Sequence, residues 1–483
     1  MSITSISELH KCLKDYDQII MYGASENSHW LYLWLKDNVD LSETNVRVAV
    51  TSPSSDSLFH GEKVYAIDEL LDLRNSAIVL IATYSGYFEE IETLLFDRGF
   101  RNIIPISDCI IDSIYRLEWV KPIERTKILV ENFHGLGFGD SPRYIVEELL
   151  RRSDKLDIVW VVNSVEKSTF PDGVRTVEMY SKEFFFETAT AHIWISNVRK
   201  FHAVRKREGQ FYIQTWHGFP LKTIEKDAEE TAIGEINAYF DAGKKDSRML
   251  DVLISNSGIL TDIYRRCFWF NGPIEMTGFP RNDVFFRDNS SVRRKVLYEY
   301  GLSENTKMVL YAPTFRKNYS KDPYDLNLQK ILESFQKDGT PWVLLVRFHP
   351  NIRYKAKEVV FSSDIIDATE YSDMAELLVA CDVLITDYSS SMFDYMYTGR
   401  PVFLYANDIA EYVARDRGFN IPYTELPFII SENESDLIQS ISDYDTGRYQ
   451  ERLNRFINEN GFMDDGKASE RVADIVMEKV RQE

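Results

Sequence analysis

The sequence predicts an α/β fold in which two parallel-sheet halves face a cleft, preceded by a smaller α/β unit. Three observations predict it. Apolar runs of strand length, such as Ile78–Ala82 and Ile158–Val162, alternate with segments of helical spacing, the pattern of parallel strands joined by crossovers. At 483 residues the chain is too long for one ordinary domain. Many of the apolar runs end directly in polar motifs, and open parallel sheets bind ligands at the carboxyl ends of their strands. The three parts run over residues 1–122, 123–283 and 284–483.

In the first part, Gln18–Gly23 reads as a strand and Glu26–Lys36 as a helix. Strands follow at Val46–Val50 and Ala77–Thr83, then a helix over Phe88–Phe96 closed by Gly99, then a strand at Asn102–Ile106. The first turn, MYGASENS, has one glycine where the dinucleotide fingerprint needs three, and the second strand ends in Val50-Thr51 rather than an acidic residue. A docking or regulatory unit is the other reading. The second part opens with a strand (ILVENF after Lys127), a glycine-rich loop (HGLGFGD) and a helix from Ser141-Pro142 to Arg151, good helix-start chemistry. Further strands fall at Ile158–Asn163, His192–Ser196, Phe211–Thr215 and Val252–Ser255. In the third part, after Arg281, the strands are Met308–Tyr311, Trp342–Phe348 and Val383–Thr386, and Asp465–Glu483 reads as an amphipathic helix.

Composition narrows the function classes. Hydrophobic residues make up 44% and charged residues 27%, as in soluble globular proteins. No stretch nears the ~20 apolar residues of a membrane span, and the N-terminus lacks a signal-peptide pattern, so a cytoplasmic protein is expected. The net charge of −20, from 56 basic and 76 acidic residues, disfavours nucleic acid as a partner. A local basic run, Arg199 to Arg207, offers Arg199, Lys200, Arg205, Lys206 and Arg207 as an acceptor or membrane patch, with a solvated loop as the plain alternative. Cys12, Cys109, Cys267 and Cys381 form no C-x-x-C pair and are expected to be buried free thiols. No H-x-x-x-H and no strand-end D-x-D occurs, so neither a metal nor another cofactor is expected.

Six motifs carry chemistry. In DVLITDYSSSMFDYMYTGRPVFLY a strand ends at Thr386 and runs through Asp387, Tyr388, Ser389, Ser390 and Ser391 into a helix. Hydroxyls and free N–H groups there suit a diphosphate, and one serine would suffice for a cap. LLVRFHPN delivers Arg347 and His349 to one side of a strand end, where they can neutralise phosphate or a leaving group. YIQTWHGFPLK carries His217, suited to act as a general base, Gly218, which permits close backbone approach, and Lys222. GFPRND supplies Arg281 and Asn282, as nucleotide contacts or as a hinge, and YAPTFR supplies Arg316 as a phosphate candidate. Asp408 to Tyr412, with Arg417-Gly418, is expected to line the donor cleft.

Together these motifs resemble the CDP-glycerol glycerophosphotransferase family of teichoic acid synthesis, from about residue 189 to 475, with DGKASER near the end and a fainter match over Lys127–Arg151. The resemblance implies a GT-B-like pair of Rossmann-like domains and peripheral attachment to the inner face of the cell membrane. It implies attack of an acceptor hydroxyl on the polyol-linked phosphate of a CDP-polyol, releasing CMP, with a polymer or lipid-linked acceptor. His217 then looks like the base, His349 the partner of the diphosphate or leaving group, and Thr386, Asp387, Ser389 and Ser390 the donor-binding turn. Gly218, Asp408 and the three arginines, Arg281, Arg316 and Arg347, join that donor site on position and charge. Phe219, Ser391 and Phe428 stand where the family commonly has other residues, which leaves the polyol, glycerol or ribitol, open. A glycosyltransferase using a CMP-activated sugar in capsule synthesis and an inactive envelope scaffold are the alternative readings.

Overall fold

The computed structural model of the protein describes residues 3, 5–54, 56–117, 120–163, 169–200, 204–229, 237–316, 324–336, 339–415 and 418–481. Arg417 lies outside them. Three sheets follow one another along the chain.

The first contains β1 (Gln18–Tyr22), β2 (Asn45–Val50), β3 (Leu58–Phe59), β4 (Glu62–Ala66), β5 (Ile78–Ile81) and β6 (Ile103–Pro105), in the order β3-β4-β2-β1-β5-β6. All pairings are parallel except the small edge hairpin β3–β4. The second contains β7 (Glu124–Glu131), β8 (Asp157–Val162), β9 (Val174–Glu178), β10 (Ala191–Ser196), β11 (Phe211–Gln214), β12 (Val252–Ser255) and β13 (Ile274–Met276), in the order β13-β12-β11-β10-β7-β8-β9. The third contains β14 (Lys307–Tyr311), β15 (Trp342–Val346), β16 (Ile365–Asp367), β17 (Val383–Thr386), β18 (Val402–Tyr405) and β19 (Ile429–Ser431), in the order β16-β15-β14-β17-β18-β19.

The second and third sheets are doubly wound, each progressing one way from its first strand and then the other. Their strand order reverses between β7 and β10 and between β14 and β17, and a crevice opens outside the strand ends at such a point. Central strands read as continuous apolar runs because helices cover both faces. Val383–Thr386 is buried at every position.

The two large halves are tied together twice by their own chain. Asp464 accepts hydrogen bonds from Phe279 N at 2.7 Å and Asn256 Nδ2 at 2.8 Å, and from the Tyr397 hydroxyl. Asp283 accepts from Ala468 N and Ser469 N at 2.9 and 2.8 Å, fixing the start of helix Ala468–Arg481. That helix packs on helix Asp140–Arg152, with Arg152 paired to Asp474 at 2.6 Å. By contact it therefore sits with the second part, although in sequence it ends the third. Across the cleft, Thr223 N donates to Gly418 O at 2.8 Å and Asn420 N to Leu221 O at 2.7 Å. Of the cysteines, Cys267 and Cys381 are buried, but Cys109 is exposed and Cys12 half-buried, because the helices that carry the last two lie on the surface of the first part.

Candidate functional site

His217 follows β11 in a tight turn. Trp216 has φ of +53° and Gly218 of +125°. His217 Nδ1 lies 2.7 Å from Asn197 O. A ring nitrogen facing a carbonyl carries the proton, so Nε2 holds the free lone pair. The ring stacks on Trp216 at 4.4 Å, with Phe133 at 5.8 Å. Burial lowers the imidazole pKa, opposed by the bond to Asn197 and the charge of Asp140, so the ring is neutral near pH 7.

Arg281 holds this turn from behind. Its Nη1 donates to Asp140 Oδ2 at 2.9 Å and to His217 O at 2.8 Å, while Nη2 reaches both oxygens of Asp394 at 2.9 and 2.7 Å. One guanidinium, its side chain 11% exposed, thus joins the glycine-rich loop, the His217 turn and helix Ser391–Tyr395 of the other half. Its charge is shared by two carboxylates, so Arg281 acts as a clamp between the two halves. A Cβ on Gly218 would lie 2.4 Å from Arg281 Nη2 and 3.1 Å from Ser390 Oγ. Gly218→Ala is therefore expected to destabilise the protein by about 1–3 kcal/mol, from strain at positive φ and this clash. The measurement is thermal unfolding, and an unchanged Tm would show that Arg281 steps aside without cost.

On the opposite half, the loops after β14 and β17 interlock. Thr386 Oγ1 donates to Ala312 O at 2.7 Å. Asp387 accepts from Thr314 N at 3.0 Å, Tyr388 N at 2.6 Å and Arg316 Nη1 at 2.6 Å. Arg316 Nε pairs with Asp408 at 2.7 Å, and Tyr388 OH donates to Asp408 at 2.9 Å. Thr386, Asp387, Asp408 and Arg316 are all buried. These groups, read from the sequence as donor-site residues, satisfy one another and shape the loops. Ser389 and Ser390 remain half-buried, Ser389 Oγ 2.8 Å from Ser391 Oγ, and Ser390 Oγ lies close enough to Gly218 that a side chain there would touch it.

His349 is exposed past the end of β15. Partial desolvation and the positive charges of Lys222 and Arg347 lower its pKa. Lys222 Nζ lies 5.0 Å from the Tyr412 ring centroid. The lysine expected on the acceptor side is thus placed against the third part, near His349. Arg347 Nη1 contacts Met374 Sδ at 3.0 Å and has no carboxylate ion pair among the described residues. Lys222 and Arg347 thus place positive charge near His349, whose own ring stays neutral near pH 7.

The basic run is corrected by the structure. Arg199 is buried between Glu225 and Asp246 at 2.9 and 2.8 Å, and Lys200 is buried against Glu131. Arg205 pairs with Asp112 at 2.5 Å, Lys206 pairs with Asp251, and Arg207 donates to the carbonyls of Lys121 and Ala189 at 2.9 and 2.8 Å. Among the described residues of the run, four meet acidic partners distant in sequence and Arg207 meets carbonyls, so these five do not form an open surface patch. Asp140, Asp394, Asn132 and Asn197 were not singled out from the sequence. The two aspartates stand inside quoted motifs, and each asparagine directly follows an apolar strand.

Two doubly wound halves, joined where Arg281 links the His217 turn to the helix after the serine turn, give a two-Rossmann-domain architecture. The family model described as CDP-Glycerol:Poly(glycerophosphate) glycerophosphotransferase matches residues 113–478, and the chain belongs to that family. It is 32% identical over 367 residues to a teichoic acid poly(glycerol phosphate) polymerase of Staphylococcus epidermidis, covering 74% of this chain and 51% of that protein. The chain thus spans about half the length of that relative. It is 30% identical over 361 residues to a teichoic acid glycerol-phosphate transferase of Staphylococcus aureus, covering 72% of this chain and 92% of that one. A teichoic acid poly(ribitol-phosphate) polymerase of Bacillus spizizenii is 27% identical over 367 residues, covering 74% and 57%. A structure of the wall teichoic acid polymerase TagF superposes with a TM-score of 0.69 at 27% identity, covering 83% of this chain and 99% of that one.

Proposed function

We propose that this protein transfers glycerol phosphate, or ribitol phosphate, from a CDP-linked donor to a hydroxyl of a cell-surface polymer or its lipid-linked primer, releasing CMP. The observation that carries this reading is the link between the halves at the His217 turn, where Arg281 joins the His217 carbonyl to Asp394 of the helix that follows the serine turn, with Gly218 close to Ser390. In this reading His217 Nε2 takes the proton of the acceptor hydroxyl as its oxygen attacks the polyol-linked phosphorus. The bond from that phosphorus to the bridging oxygen breaks, and CMP departs. Lys222 and Arg347 neutralise the charge that develops on the leaving phosphate, neutral His349 partners it, and Ser389 and Ser390 bind the diphosphate.

The relatives named for glycerol phosphate are 28–32% identical to the chain and those named for ribitol phosphate 23–27%, which favours glycerol as the polyol. A lipid-linked acceptor would bring the protein to the inner face of the cell membrane. Among the described residues no helix is long and apolar enough to cross one. The test is CMP release from the full chain with CDP-glycerol, CDP-ribitol or CMP-sialic acid, with and without a polyol-phosphate primer. Primer-dependent CMP from a CDP-polyol, largest for CDP-glycerol, is expected. Turnover of the CMP-sugar alone would replace the reading with a glycosyltransferase.

A further inference from the structure

Two buried asparagines stand behind His217, at the point where the strand order of the second sheet reverses. Asn132 directly follows β7 and Asn197 directly follows β10, and they are 2% and 0% exposed. Asn197 Nδ2 donates to Asn132 Oδ1 at 2.7 Å, and Asn197 Oδ1 accepts from Phe133 N at 2.9 Å. Asn132 Nδ2 donates to Leu136 O at 2.7 Å and Gly137 O at 3.2 Å. The Asn197 side chain is thus held at both ends, and its main-chain carbonyl is the acceptor for His217 Nδ1 at 2.7 Å. The same network seats the left-handed segment Phe133–His134, with φ of +40° and +56°, whose Phe133 ring flanks the imidazole.

We infer that Asn132 and Asn197 are positioning residues that aim the Asn197 carbonyl at His217 and hold its ring with Nδ1 protonated and Nε2 free. The inference rests on the reading of His217 as the base. An amide pair suits this task. A carboxylate at either position would add a buried charge and raise the basicity of the imidazole, whereas an amide fixes direction and leaves the ring neutral. A ring released from the carbonyl populates the other tautomer, in which Nε2 carries hydrogen and accepts no proton.

The test is primer-dependent CMP release by the full chain in a mutant cycle. Asn197→Ala is expected to lower kcat by about 100-fold or more, on the scale of losing the group that orients a catalytic histidine, with the donor KM within about twofold. In the His217→Ala background the same change is expected to cost less than about twofold further, because the two act as one unit. Asn197→Asp keeps the acceptor for Phe133 N and adds a negative charge beside the ring, so the acid limb of its kcat profile is expected to move to higher pH. That variant also serves if Asn197→Ala does not fold. Equal losses in the two backgrounds, or an unmoved limb in Asn197→Asp, would overturn the positioning role while leaving the base reading intact. Full turnover by His217→Ala would overturn the base reading itself and the inference that rests on it.

Discussion

His217→Ala lowers turnover by about 10²–10⁴-fold, the range set by loss of a general base, and changes donor affinity by less than about threefold. The split is expected because in the proposed reaction the side chain acts through Nε2, while its contacts to the fold run through Nδ1 and the stacked Trp216 ring. The pH dependence carries a sign. Burial lowers the imidazole pKa from 6.5, so the basic form persists below the ordinary histidine range. The acid limb of kcat/KM therefore falls below pH 6.5 in the native protein and is absent from the variant's residual rate. CMP release across pH and calorimetric donor binding check this. A fall no larger than that caused by replacing His10, on the first helix, would sink the assignment.

Arg281→Ala has the largest expected effect on stability. Its guanidinium serves Asp140, Asp394 and the His217 carbonyl from one position. Without it two buried carboxylates face one another with no counter-charge, a change that costs about 3–5 kcal/mol. Asp394 shows the strain of the site even with its partner present, since burial pushes its carboxyl up to about 6. At about 2–4 °C per kcal/mol for a large domain, the Tm should fall by roughly 10 °C. Adding Asp394→Asn should recover part of that stability but not turnover, because the carbonyl of His217 still lacks its donor. Calorimetry and CMP release on both variants test the pair. An unchanged Tm in Arg281→Ala would remove the clamp, and full recovery of turnover in the double variant would separate Arg281 from the His217 turn.

The central strands were legible because burial on both faces writes them as unbroken apolar runs, as in Ile78–Ile81 and Val383–Thr386. Three edge strands of the large halves were not. Ile274–Met276, Ile365–Asp367 and Ile429–Ser431 are three residues each, too short for a period to show. His217 and the serine turn were legible because each sits where a strand stops. Arg316 was read as a phosphate ligand because charge in a sequence has no visible partner, and Asp387 and Asp408 lie 71 and 92 residues away. The basic run failed for the same reason, with Arg199 answered by Asp246 and Glu225, 47 and 26 residues along the chain.

The two covalent crossings between the large halves are stitched to each other, Asp464 to Phe279 and Asp283 to the start of the last helix. Two adjacent pins form a door hinge, whereas a single crossing would act as a tether. A separate pair of main-chain bonds joins residues 221 and 223 to 418 and 420, so the halves are held together away from their covalent crossings as well.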